Sequence, residues 1–139
     1  MSTKIRPTVS KKREYYISKH RYYELKHFCL QYNEWRNLVL SHSSITKSVI
    51  FHTNHQKEFD DPVGDEVGRL ELAKHNIDLI NKAAKYAGDG LDDYIIEAVT
   101  EGASYTYLKM VKEIPCSRDK FYICYHKFFW VLSQLKHSV

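Results

Sequence analysis

The residues best equipped for chemistry lie in a short run, Ser117-Arg118-Asp119-Lys120, that follows Ile114-Pro115-Cys116. Proline lacks an N–H and disfavours helix at the residue before it, so one helix must stop here and another begin. Ser117 suits the cap of the new helix. A helix start exposes unpaired N–H groups and the positive end of the dipole, which favours phosphate. An arginine at such an end can reach a guanine edge with two parallel hydrogen bonds. Helical spacing turns Phe121 inward and leaves Arg118 and Tyr122 on the outer side. Lys120 stands at the margin and can extend outward on its stem. The chemistry on offer is recognition of anions and base edges.

Other reactive residue types are present without useful spacing. Of the eight histidines, His52 and His55 are close, but no cysteine or carboxylate is spaced to complete a tetrahedral set. His20 and His27 share a helix face only loosely. The three cysteines, Cys29, Cys116 and Cys124, match no zinc or redox spacing. Cys29 and Cys124 fall in apolar stripes and read as buried thiols in a reducing cytosol. Asp60-Asp61 and Asp92-Asp93 are sequence neighbours, and such neighbours do not face each other on a helix. Asp92-Asp93 favour a helix N-terminus instead. There is no glycine-rich phosphate loop, serine elbow or Cys–His pairing. The expectation is a protein that is no enzyme and holds neither cofactor nor metal.

Charge is unevenly distributed along the 139 residues. Residues 1–53 hold ten Lys/Arg against three acids, net +7. Residues 54–101 are net −7, and residues 102–139 are net +4. Basic ends around an acidic middle give local surfaces that a phosphate backbone can feel. Apolar residues make up 43%, enough for a core, and no run of about 18 of them exists to span a membrane. The N-terminus is basic and polar with no apolar stretch behind it, so no signal peptide is expected and the location is cytoplasmic.

The elements that must position the candidate site all read as helices. Residues 1–14 form a basic arm with Lys4, Arg6, Lys11, Lys12 and Arg13; such arms track phosphates or enter a minor groove, or are disordered tails. Tyr22, Leu25, Phe28, Cys29, Tyr32, Trp35 and Val39 repeat at three and four residues, which predicts a helix from about Ser18 to Leu40. Residues 41–61 lose the period and read as a loop, with room for a short turn of structure near Ser44–Phe51. A second helix is expected over about Val63–Tyr86, with Gly88 as its left-handed cap. Three more follow, over about Leu91–Thr100, Ser104–Lys112 and Ser117–Lys136. The fold expected is all-α, five to six helices in a single domain over 15–139, with a helix-turn-helix at about 91–136.

That last unit has an internal logic. Ser104 caps a short helix that packs through Leu108, Val111 and Ile114 on a long one. The long helix buries Phe121, Cys124, Tyr125, Phe128, Val131, Leu132 and Leu135 and presents its N-terminal end. The stretch resembles region four of bacterial sigma factors and the related ArpU-like and RinA-like phage transcriptional regulators. The residues that carry the likeness are Glu101, Gly102, Ala103, Ser104, Tyr105, Leu108, Ile114, Ser117, Arg118 and Phe121. It covers about a third of the chain. Lys109 stands where the family pattern has a small residue, Glu113 replaces a turn glycine, and the turn is about two residues longer. Over most of its length the chain is also similar to small phage and prophage proteins, in SKHRYYELKHFCLQY and in VTEGASYTYLK…IPCSRDKFY…FFWVLS.

The resemblance implies a transcriptional regulator that reads duplex DNA. Arg118 and Lys120 would contact the DNA, Arg118 at a guanine edge, with Ser117 and Tyr122 beside them, and Lys109, Lys112, Lys11, Lys12 and Arg13 would hold phosphates. A homodimer is expected, using the aromatic face of the last helix around Phe129 and Trp130, or the first helix, because two half-sites sharpen specificity. From a different class, the chain would be a helical module that binds a host protein such as RNA polymerase without touching DNA, or a small subunit of phage DNA packaging.

Overall fold

A computed structural model of the chain describes residues 14–52 and 62–137, with side chains described over 14–42 and 66–137. Among the described residues it is all-helical, with α1 Lys19–Leu30, α2 Tyr32–His52, α3 Pro62–Gly88, α4 Asp92–Glu101, α5 Tyr105–Met110 and α6 Arg118–His137. No described helix is long and apolar enough to cross a membrane. The arm residues Lys4, Arg6, Lys11, Lys12 and Arg13 lie outside the described residues. So do His55 and Asp60-Asp61, and the side chain of His52.

The chain divides into two compact units, cut between Gln31 and Tyr32 and again between Asp78 and Leu79. One holds α2 and the first part of α3, where Tyr32, Leu70 and Ala73 are buried. The other is discontinuous in sequence. It joins α1, the end of α3 from Leu79, and α4 to α6.

This second unit is built on α1, α4 and α6, each against the other two. Ser18 caps α1, accepting from the Arg21 N–H at 3.3 Å. Tyr22, Leu25 and Cys29 are buried along its inner face. Tyr22 meets Phe129 edge-on at 5.0 Å, and Arg21 donates to the Ser133 hydroxyl at 3.1 Å and to its carbonyl at 3.4 Å. Phe129 is therefore covered by α1 and offers nothing to a second subunit. Trp130 is half-buried, its ring 5.3 Å from that of Tyr15.

The helix expected over Ser18–Leu40 is broken at Gln31, whose N–H bonds the Phe28 carbonyl three residues back, at 3.2 Å. Beyond it, residues 41–52 are helical instead of loop. Their Ser and His content disfavours helix by only fractions of a kcal/mol per residue, a preference that tertiary setting readily overrides. Pro62 is the first residue of α3, where a missing N–H costs nothing. Gly88 stays helical, and the left-handed turn falls on Asp89 (φ 52°) and Gly90 (φ 86°). Gly88 has another use: its carbonyl accepts from the buried Cys124 thiol of α6 at 3.7 Å.

α4 ends at Gly102, left-handed at φ 71°, whose N–H returns to the Ala98 carbonyl. Ser104 caps α5, accepting from the Tyr107 N–H at 3.1 Å. Ser117 caps α6, accepting from the Lys120 N–H at 3.2 Å. Pro115 lies in the break between them, as its chemistry requires. Leu108 and Ile114 are fully buried, but Val111 is 59% exposed and takes no part in the packing expected of it.

Glu113 sits in this break at φ 57°. A left-handed residue with a Cβ costs about 1–2 kcal/mol. Glycine removes that strain and returns part of the gain as unfolded-state entropy, about 0.4–1 kcal/mol. Glu113→Gly is expected to stabilise the protein by roughly 0.5–1 kcal/mol, read as a rise in the denaturant midpoint at unchanged slope.

Candidate nucleic-acid interface

The sequence of α5 and α6 determines which groups reach the surface between them. α5 has six residues, too few to hold itself, so Tyr105 and Leu108 anchor it from below. Tyr105 donates its hydroxyl to the Cys116 carbonyl at 2.7 Å, tying the start of α5 to the residue just before the α6 cap. Phe121 lies 5.5 Å from the Tyr105 ring and continues that contact into the core.

Arg118 is exposed in the first turn of α6, and its guanidinium carbon stands 5.0 Å from the Tyr105 ring centroid. The ring restrains a long side chain that would otherwise be loose. Lys120 is half-exposed and bound to Asp89 in the α3–α4 turn by an ion pair with a charge-assisted hydrogen bond. That bond holds the Asp89 carboxyl below its usual range and raises the Lys120 ammonium above its own. Lys109 is exposed. Lys112 is exposed too and lies 3.8 Å from Glu97 of α4. Ser117 is exposed at the cap.

Tyr122 was expected to face outward with Arg118. It is half-buried, its ring 4.9 Å from Phe121 and 5.9 Å from Tyr125. Lys11, Lys12 and Arg13 lie outside the described residues. Thus Arg118 and Ser117 stand together at one helix end, Lys120 is beside them but paired, and Lys109 and Lys112 extend from α5 and the residues after it. Two participants were not expected from the sequence. The sequence marks Tyr105 only as part of a motif and carries no sign that it holds Arg118. Asp89 is 31 residues from Lys120, and no spacing rule links them.

Among the described residues no group of three or more His, Cys, Asp or Glu could hold a metal ion. Cys29 and Cys124 are buried, and Cys116 is half-buried. Burial pushes all three thiols above their ordinary range. Compared with known proteins, the chain matches no family model, no curated protein and no solved structure.

Proposed function

We propose that the protein binds duplex DNA with the N-terminal end of α6, as a helix-turn-helix regulator of the kind its C-terminal third resembles. One observation carries this reading: the break at Pro115 delivers a Ser117-capped helix start with Arg118 exposed on it and Lys120 alongside. The connection, Val111 to Ser117, is longer than the three or four residues of a compact helix-turn-helix. Its length adds reach at the turn while Leu108 and Ile114 keep α5 seated.

Magnitudes favour release of Arg118 to a base. An exposed cation–π contact is worth about 0.5–1 kcal/mol. A bidentate arginine–guanine contact discriminates by about 1–3 kcal/mol. Arg118→Ala is therefore expected to weaken binding by about 1–3 kcal/mol and relax preference at one base position. Lys120→Ala should weaken binding to all sequences and shallow the salt slope by about one unit. Asp89→Asn removes the charge competing for Lys120 and should tighten binding to all sequences. Duplexes selected from a random pool, titrated at several salt concentrations, read all three. Unchanged affinity for both Arg118→Ala and Lys120→Ala, with intact circular dichroism, would remove this helix end as the reading head.

A second reading has its own observation. Met110 and Val111 lie three and four residues after Tyr107, and all three are exposed, Met110 at 75%. An apolar face of this kind suits a protein partner. A heparin column separates the two readings, since a DNA binder is retained and elutes with salt.

A further inference from the structure

A cleft of about 210 Å³ opens beside α6 within the unit that holds α1, α4 and α6. Its floor and walls are apolar: Val99 and Ala98 from α4, Phe121 from α6 and Leu30 from α1. Around it stand Lys26, Tyr122, Tyr125 and, from the α4–α5 loop, Ala103 and Ser104. In this unit Arg21 has Glu24 at 2.9 Å, Lys112 has Glu97 and Lys120 has Asp89, whereas Arg118, Lys127 and Lys136 lie over aromatic rings. Lys26 is half-buried and has no carboxylate partner among the described residues; its ammonium lies 5.9 Å from the Tyr22 ring centroid.

The phenols add donors. The Tyr125 and Tyr22 hydroxyls are 3.3 Å apart and buried. Burial pushes both phenols upward, so both keep their protons at neutral pH. Two O–H groups sharing one hydrogen bond leave one proton with no acceptor among the described residues. The Tyr122 hydroxyl has no hydrogen-bond partner among them either. Lys26 and the hydroxyls of Tyr122, Tyr125 and Ser104 thus stand around one apolar cleft, and of these Lys26 can only donate.

We infer that the cleft binds a small organic carboxylate, its acid group on Lys26 and the phenol O–H groups and its apolar body against Val99, Leu30 and Phe121. A carboxylate is acceptor-only; the Lys26 ammonium can only donate, and the hydroxyls beside it can turn their protons to the acid. The volume is below the roughly 300–1,000 Å³ of pockets for drug-sized ligands, so the acid is small. The site does not rest on the DNA reading: it shares Phe121 with the support of Tyr105, but Lys26 lies on α1 and is not among the residues placed on DNA.

The test is fluorine NMR of the full chain, titrated with 4-fluorobenzoate and separately with neutral 4-fluorobenzyl alcohol. The expected result is saturable binding of the benzoate, with the alcohol roughly tenfold weaker or more, as loss of hydrogen bonds to a charged group implies. Lys26→Gln should weaken the benzoate by a similar factor and leave the alcohol unchanged. Ala103→Phe, which fills the cleft from the α4–α5 loop, should abolish both. The inference is overturned if neither probe saturates, or if Lys26→Gln binds the benzoate as the parent does. It is also overturned if Ala103→Phe, folded by circular dichroism, binds both probes unchanged.

Discussion

Replacing Phe128 by alanine is expected to cost about 3–5 kcal/mol. The side chain is fully buried in α6, and its ring meets that of Phe129 at 5.0 Å. Phe129 in turn packs on Tyr125 at 5.2 Å and on Tyr22 of α1. The alanine leaves a void that rigid neighbours fill only in part, so cavity and lost transfer energy add. Domain stability is about 5–15 kcal/mol in total, so this single change removes a large share of it. Guanidinium unfolding followed by circular dichroism reads the loss directly. Phe128→Leu, which keeps most of the volume, should cost less than about 1.5 kcal/mol. Equal small losses for both variants would show that this part of α6 is not the centre of the core.

Leu108→Ala is expected to cost about 2–5 kcal/mol, while Val111→Ala, three residues on, stays within about 0.5 kcal/mol. Leu108 is fully buried, its carbonyl accepting from the Ile114 N–H at 3.0 Å. Val111 is largely exposed. The difference has a functional side. A six-residue helix has no stability of its own, so losing its anchor frees the whole of α5. Amide exchange in Leu108→Ala should speed over residues 107–112 ahead of global unfolding. Uniform acceleration across α4, α5 and α6 would mean that α5 is not a separate lever on the α6 start.

What the sequence made legible follows from the kind of signal each element carries. The end of α4, the break after α5 and the starts of α5 and α6 were readable because Gly102, Pro115, Ser104 and Ser117 act locally, through a left-handed residue, a missing N–H and two caps. The inner face of α6 was readable from its period: Phe121, Cys124, Tyr125, Phe128, Val131 and Leu132 are all buried, while Leu135, near the helix end, is only half-buried. The break at Gln31 had no such mark, because glutamine is a good helix former. Gly88 looked like a cap by composition, but the left-handed residues are the two that follow it. At the candidate interface, Arg118 and Ser117 were found by their position on one helix end. The contacts that hold Arg118 and Lys120, from Tyr105 and Asp89, come from packing between elements and leave no pattern in a linear chain.

The discontinuous unit has a consequence in time. Arg21 of α1 meets Ser133 of α6 across 112 residues of chain. At the usual pace of synthesis, about 5–20 residues per second, α6 follows α1 from the ribosome by roughly 6–20 s. Through that interval Tyr22, Leu25 and Cys29 have no α6 to cover them. Folding of this unit therefore cannot run from the N-terminus forward. It waits for almost the last turn of helix to be made, and the nascent α1 must be kept from other apolar surfaces until then.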